Sequence, residues 1–211
     1  MQSEMLREGS SRSPEERLES QRVSSQSPIL LSERLVLRAP HKEDIDALAH
    51  LANNAKVATM VSRMPHPYTV ADAADFVRRA NNGGIGKAVF AITKADTGEF
   101  MGCCGLEMDP DDPSRGEIGY WLGERYWNKG YATEAAQVLV DMAFRDDTLE
   151  MLDARCRVVN TASRRVIQKC GFQYQGTGMV QSLAMGGSVA VEWFRLDRNT
   201  WLSLRSWGGS R

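Results

Sequence analysis

The stretch ERYWNKGYATEAAQ, Glu124 to Gln137, sets an Asn-Lys-Gly turn directly before a helix whose early residues are small. The first turn of a helix carries backbone N–H groups with no partner inside the helix, and its dipole favours negative charge there. A phosphate or pyrophosphate is the natural ligand of such an end. Gly130 lets the backbone approach closely, small Ala132 and Thr133 leave room at the tip, and Lys129 adds a positive charge. The P-loop pattern is absent, because Lys129 precedes its glycine and no Lys-Ser or Lys-Thr pair follows. GIGKAV (Gly84 to Val89) and GTGMVQ (Gly176 to Gln181) lack the third glycine of a dinucleotide fingerprint. On the residues alone, a helix entry with no ligand stays equally open.

Outward from the turn, the periodicity switches between two and about 3.6 residues. ERLVLRAP (Glu33 to Pro40) reads as a strand, and KEDIDALAHLANN (Lys42 to Asn54) as a helix with Ile45, Leu48 and Leu51 or Ala52 inward. TVADAADFVRRANNGG (Thr69 to Gly84) reads as a second helix, capped by Thr69 and stopped by Gly83-Gly84. KAVFAIT (Lys87 to Thr93) and EFMGCCGLE (Glu99 to Glu107) form a hairpin, and GEIGYWLGE (Gly116 to Glu124) is the next strand. A helix from about Ala132 to Phe144 follows, then a strand LDARCRVV (Leu152 to Val159). TASRRVIQKCGF is a short helix ended by Gly171, and FQYQGTGMV and SVAVEWFRLD are the closing strands. The expected class is α/β (α+β): a mixed, mostly antiparallel sheet with helices on both faces, in the order β-α-α-β-β-β-α-β-α-β-β.

The 211 residues suffice for one domain with a sizeable core plus a tail. Residues 1–27 are poor in apolar side chains and are expected to be a flexible tail, with a short helix at SPEERLES; the domain is expected over 28–211. A net charge of −1 gives no reason to expect nucleic acid or an anionic membrane as partner. The first residues hold no apolar signal core, and no apolar run approaches a bilayer span. Cys103, Cys104, Cys156 and Cys170 have no zinc-like or redox-like spacing. They read as buried free thiols of a cytoplasmic protein, Cys103 and Cys104 on opposite faces of a strand. His41, His50 and His66 form no HExxH or triad pattern, so hydrolase and metal chemistry are not expected.

EIGYWLG, WNKGYATEA and NTASRRVIQKCGF together resemble the GCN5-related N-acetyltransferase (GNAT) superfamily, and within it the RimJ/RimL-like ribosomal-protein-alanine acetyltransferase group. The resemblance covers about Leu30 to Trp201, including the element order. It implies acetyl-CoA as cosubstrate, with its pyrophosphate on the amides of Trp127, Asn128, Lys129, Gly130, Tyr131, Ala132 and Thr133. Trp127 stands where most of the superfamily has Arg or Gln. The resemblance also implies that Ile118, Gly119, Tyr120, Trp121 and Leu122 offer free strand amides to the pantetheine arm, the N–H near Tyr120 serving the oxyanion. Asn160 would contact the cofactor and Ser163 would donate to the leaving thiolate. The tyrosine that many members place one turn after that serine is Ile167 here.

Acetyl transfer needs a neutral amine, a path for its proton and a donor for the departing sulfur. Glu117, on the strand that would bear the thioester, is the first candidate proton acceptor; Glu107 and Glu192 follow, and Glu134 suits the helix dipole alone. An α-amine, with a pKa of about 7.7–8.0 against about 10.4 for lysine, suits a site with no strong base. That favours a protein N-terminus or an amino acid over lysine, and a protein N-terminal amine is the first expectation. A small-molecule amine and a non-catalytic acyl-CoA-binding module are the alternatives. An open groove would favour the first and a closed pocket the second. Monomer and homodimer are both open; Trp201 and Trp207 are candidates for core, edge cover or interface.

Overall fold

The computed structural model describes residues 28–84, 86 and 88–208. The expected tail over 1–27 and its short helix lie outside them. Among the described residues the strands are β1 (Leu30–Leu31), β2 (Leu35–Arg38), β3 (Ala88–Lys94), β4 (Phe100–Met108), β5 (Arg115–Leu122), β6 (Met151–Arg157), β7 (Gln173–Ser182) and β8 (Gly187–Asp197). They form one sheet in the order β1-β2-β3-β4-β5-β6-β8-β7. Every neighbouring pair is antiparallel except β5 and β6. That exception follows from the helix α4 (Tyr131–Ala143) between them, since a parallel pair needs a crossover. The expected mixed, mostly antiparallel architecture is the one observed.

The other helices are α1 (Ile45–Ala52), α2 (Ala55–Ala58), α3 (Val70–Asn81), α5 (Thr161–Lys169) and α6 (Arg198–Gly208). Helix α1 packs on β4 and α3, while α4 packs on β5, β4 and α5. The adjacent cysteines mark the two faces. Cys103 lies near Asp44 and Tyr68 on the α1/α3 side. Cys104 stands in register with Tyr120, whose hydroxyl reaches α5. All four cysteines are free and buried. Burial pushes the Cys156 thiol up to about 11 and the Cys170 thiol up to about 12.

The short strand β1 and a 3₁₀ turn at Glu124–Tyr126 are additions to the expected element order, and three further differences have a clear physical cause. The first helix is preceded by a 3₁₀ turn at Lys42–Asp44, because Asp44 turns inward. Its carboxylate accepts two bonds from Arg38, at 2.7 and 2.9 Å, and one from the His41 N–H at 2.7 Å. Asn54 does not end that helix; its side chain accepts from Lys56 N–H and starts α2. Strand β8 is not the last element, since Asp197 accepts from Thr200 N–H and opens α6. Trp201 of α6 stacks on Phe144 at 5.1 Å and donates to Asp141 at 2.8 Å, so it covers the core. The side chain of Trp207 lies outside the described residues. Thr69 caps α3 as expected, in a reciprocal pair with Asp72. Among the described residues no helix is long and apolar enough to cross a membrane.

Candidate active site

The parallel pair is short. Arg115 to Ile118 of β5 pair with Met151 to Ala154 of β6, and pairing stops there. Beyond that point the strands part, so the β6-facing edge of Gly119 to Leu122 has no strand partner. The fork opens into a cavity of about 1330 Å³. Its lining unites Glu117 to Leu122, Trp127, Asn128, Gly130 to Thr133, Asn160 and Ser163. Lys129 is not part of that lining; its Nζ turns back to the Arg125 carbonyl at 2.9 Å.

The turn before α4 is built from backbone. Asn128 (φ 59°) and Gly130 (φ 83°) are both left-handed, which Asn tolerates and Gly favours. Helix α4 then starts at Tyr131, one residue before the expected Ala132. Arg34 holds the turn from outside: it donates to the Lys129 carbonyl at 3.0 Å and lies over the Tyr131 ring at 4.6 Å. The Trp127 indole donates to the Leu122 carbonyl at 2.8 Å, tying the turn to the end of β5. The Trp127 N–H, expected among the pyrophosphate-binding amides, instead donates to the Glu124 carbonyl at 3.1 Å and closes the 3₁₀ turn before it, so the cradle amides begin at Asn128. The residues fit a pyrophosphate: left-handed turn geometry, an open helix start and no side chain in the way.

Strand parity divides the labour. Tyr120 points to the α4/α5 face, where its hydroxyl lies 2.9 Å from Ser163 Oγ and 3.2 Å from the Ser163 carbonyl. Burial raises the Tyr120 pKa well above its ordinary value, so the phenol keeps its proton. The sequence placed no side-chain role on Tyr120; the structure sets a phenol near the position left empty by Ile167. The Asn160 side chain accepts from Ser163 N–H at 3.0 Å and caps α5.

Glu117 lies on the other face, the one it shares with Cys103, and lines the cavity together with Ala55 to Val57 of α2. Arg155 takes both its carboxylate oxygens, Nε reaching Oε1 at 2.7 Å and the terminal nitrogen reaching Oε2. Arg155 also lies 5.5 Å over the Trp193 ring. The other nominated carboxylates are also committed. Glu107 pairs with Arg63 at 2.6 Å, and Glu192 pairs with Arg164 at 2.6 Å. Glu192 shares register with Cys156, which puts it on the α4/α5 face, away from Glu117. Glu134 is partly buried, which works against its charge. Bonds from Arg34 N–H, Ser32 and the Arg34 guanidinium outweigh this and hold its pKa below the usual value. Among the described residues no group of His, Cys, Asp and Glu is placed to hold a metal ion.

A Cβ built on Gly119 would meet nothing within 4 Å. Packing in the free protein therefore does not require glycine there, and the space beside the strand is open to the fork. On the far side of the fork, the Leu183 N–H donates to the Ser62 carbonyl at 2.9 Å. That bond bridges the β7–β8 hairpin and the loop after α2, both of which line the cavity.

The family model described as an acetyltransferase (GNAT) domain matches residues 34–173, and the chain belongs to this family of N-acetyltransferases. An uncharacterized N-acetyltransferase, p20 of Bacillus licheniformis, is 33% identical over 169 residues, covering 79% of this chain and 94% of that protein. A GNAT-family acetyltransferase from Bacillus anthracis superimposes with a TM-score of 0.71 at 22% identity, over 82% of this chain and 99% of that one. RimL, a ribosomal-protein α-N-acetyltransferase solved in complex with coenzyme A, superimposes with a TM-score of 0.68 at 20% identity, over 82% and 99%.

Proposed function

We propose that the chain transfers the acetyl group of acetyl-CoA to a primary amine of a small molecule. The pyrophosphate rests on the amides from Asn128 to Thr133, and the pantetheine arm runs along the free edge of Gly119 to Leu122. The N–H near Tyr120 receives the developing oxyanion. The amine enters from the Glu117 face and attacks the thioester carbonyl. A C–N bond forms, the C–S bond breaks, and the thiolate takes a proton from the hydroxyl pair of Tyr120 and Ser163. Each Glu117 oxygen gives Arg155 one lone-pair site and keeps another, so Glu117 can still receive the amine proton through water.

The observation that carries the choice of acceptor is the Leu183–Ser62 backbone bond. It places a strap across the acceptor side, where a polypeptide end would need an open groove. In this reading a small amine replaces the protein N-terminus expected from sequence. The test is a transfer assay with acetyl-CoA, small primary amines and short peptides with free N-termini, read by thiol release and product mass. Small amines should be the better substrates. Peptides acetylated with a higher kcat/KM than every small amine would overturn the proposal.

A further inference from the structure

We infer that the acceptor carries a carboxylate and that Arg157 binds it; this rests on the transfer reading above. Residues in register share a sheet face. Arg157 pairs with Val191 and Arg155 with Trp193, so both arginines lie on the Glu117 face. On that face the other arginines have counter-ions. Arg155 has Glu117, Arg115 and Arg195 share Asp153, and Arg63 has Glu107. Among the described residues Arg157 pairs with no carboxylate. Its Nη1 donates to the Thr59 carbonyl at 2.9 Å, and its Nε is buried with no partner. A partly buried guanidinium with one neutral acceptor and no anion is a poor resting arrangement unless something brings the anion. Arg157 lines the cavity through which the acceptor enters.

A second polar group is left over in the same place. Ser182 is only 3% exposed, its Oγ has no hydrogen-bond partner, and it lines the same cavity. Gly178 pairs with Val191, Val180 with Val189 and Ser182 with Gly187, so Ser182 lies on the Arg157 face. Between the two lies an apolar floor of Val180, Val189 and Val191. Both ends of the floor reach one loop: Arg157 bonds to Thr59, and Leu183, next to Ser182, bonds to Ser62. The matching ligand is a primary amine on a short apolar body. Its carboxylate meets the guanidinium, and Ser182 is at hand for a further polar atom. A polycationic acceptor would meet Arg155 and Arg157 at the entrance and be repelled.

The test uses matched pairs of primary amines, each amino acid beside its own carboxamide, at saturating acetyl-CoA. The carboxylate member should have a kcat/KM about 10- to 100-fold higher, the span of one lost charge-assisted bond, expressed mainly in KM. Arg157→Gln keeps a donor for the Thr59 carbonyl and removes the charge, so the two members should converge. Arg157→Lys should restore part of the gap. Acetyl-CoA binding by calorimetry reports whether each variant is folded. Equal use of both members by the wild type, or a gap that survives in Arg157→Gln, overturns the inference while leaving the transfer reading intact. A preference for ethanolamine phosphate over ethanolamine, with none within the carboxylate pairs, overturns the carboxylate in favour of a phosphate. Acetylation of no amine at all sinks the transfer reading and this inference with it.

Discussion

Replacing Tyr120 by Phe removes one oxygen and keeps the ring. That oxygen lies 2.9 Å from Ser163 Oγ and 3.2 Å from the Ser163 carbonyl. Losing a typical hydrogen bond costs about 1 kcal/mol of stability, which a small shift in the denaturant midpoint would register. The effect on rate should be larger. General acid catalysis contributes about 10²–10⁴-fold, and a thiol leaving group with a pKa near 8.5 belongs at the low end. Tyr120→Phe should therefore lower kcat about 10²-fold with acetyl-CoA affinity kept. Ser163→Ala should do the same, and the double variant should be little worse than the worse single one, because one hydrogen-bonded pair is lost either way. The pH profile adds a sign. The donor is the protonated phenol, and burial raises its pKa, so the wild-type rate should show no alkaline fall from Tyr120 below about pH 10. The assay is thiol release at saturating substrates, with acetyl-CoA affinity measured by calorimetry. A Tyr120→Phe kcat within about threefold of wild type would refute the phenol's role.

Gly119→Val should leave stability unchanged or slightly raised, since strands favour Val and the new Cβ meets nothing. It should weaken acetyl-CoA binding about 10-fold or more by calorimetry; equal binding would remove Gly119 from the ligand path. Asp44→Asn breaks a buried ion pair and should cost about 3 kcal/mol at pH 7. Burial works against the Asp44 charge, but bonds from Arg38 and the His41 N–H hold its folded pKa below the unfolded value. Its contribution is thus complete above about pH 4 and fades as pH falls from there, so wild type and variant should converge in acid denaturation. Gly171→Ala, at φ 91°, should cost about 1–2 kcal/mol in a denaturant melt. The Leu204 Cδ1 only 2.3 Å from the new Cβ belongs to an exposed side chain that can move away.

Local signals in the sequence carried the long strands, the glycine turn and the cap of α3, because each is encoded within a few residues. The lining from Glu117 to Leu122 and from Gly130 to Thr133 was legible because strand, turn and helix start are contiguous. What the sequence hid depends on distant partners. Asp44 looked like one more polar residue of a helix until Arg38 drew it inward. Asn54 caps a helix too short for periodicity to register. Arg155 and Arg157 stand two apart in DARCRVV, which signals a shared face. Nothing local says that the face is the one opposite the glycine turn, or that Glu117 answers one arginine and leaves the other. Ser182 carried no signal at all; only its burial without a partner marks it.

The proposed chemistry depends on the point where the parallel pair of the sheet comes apart. Because β5 and β6 run parallel and pair only as far as Ile118 and Ala154, the opening beyond them joins the two faces. Period-two alternation then gives neighbouring residues of one strand different tasks. Tyr120, on the α4/α5 face, stands with Ser163 where a thiolate would leave. Glu117 and Gly119, on the opposite face, stand where an amine would arrive. A shift of β5 by one residue would turn Tyr120 away from Ser163 and Glu117 onto the α4/α5 face, away from Arg155. Its register is held by the full antiparallel ladder with β4, from Gly102–Leu122 to Met108–Gly116. At Gly102 that ladder is too close for any side chain, since a Cβ there would lie 2.1 Å from the Trp121 carbonyl oxygen. Gly102 acts on the site through this contact: it lets β4 press against the stretch of β5 whose other edge must stay open.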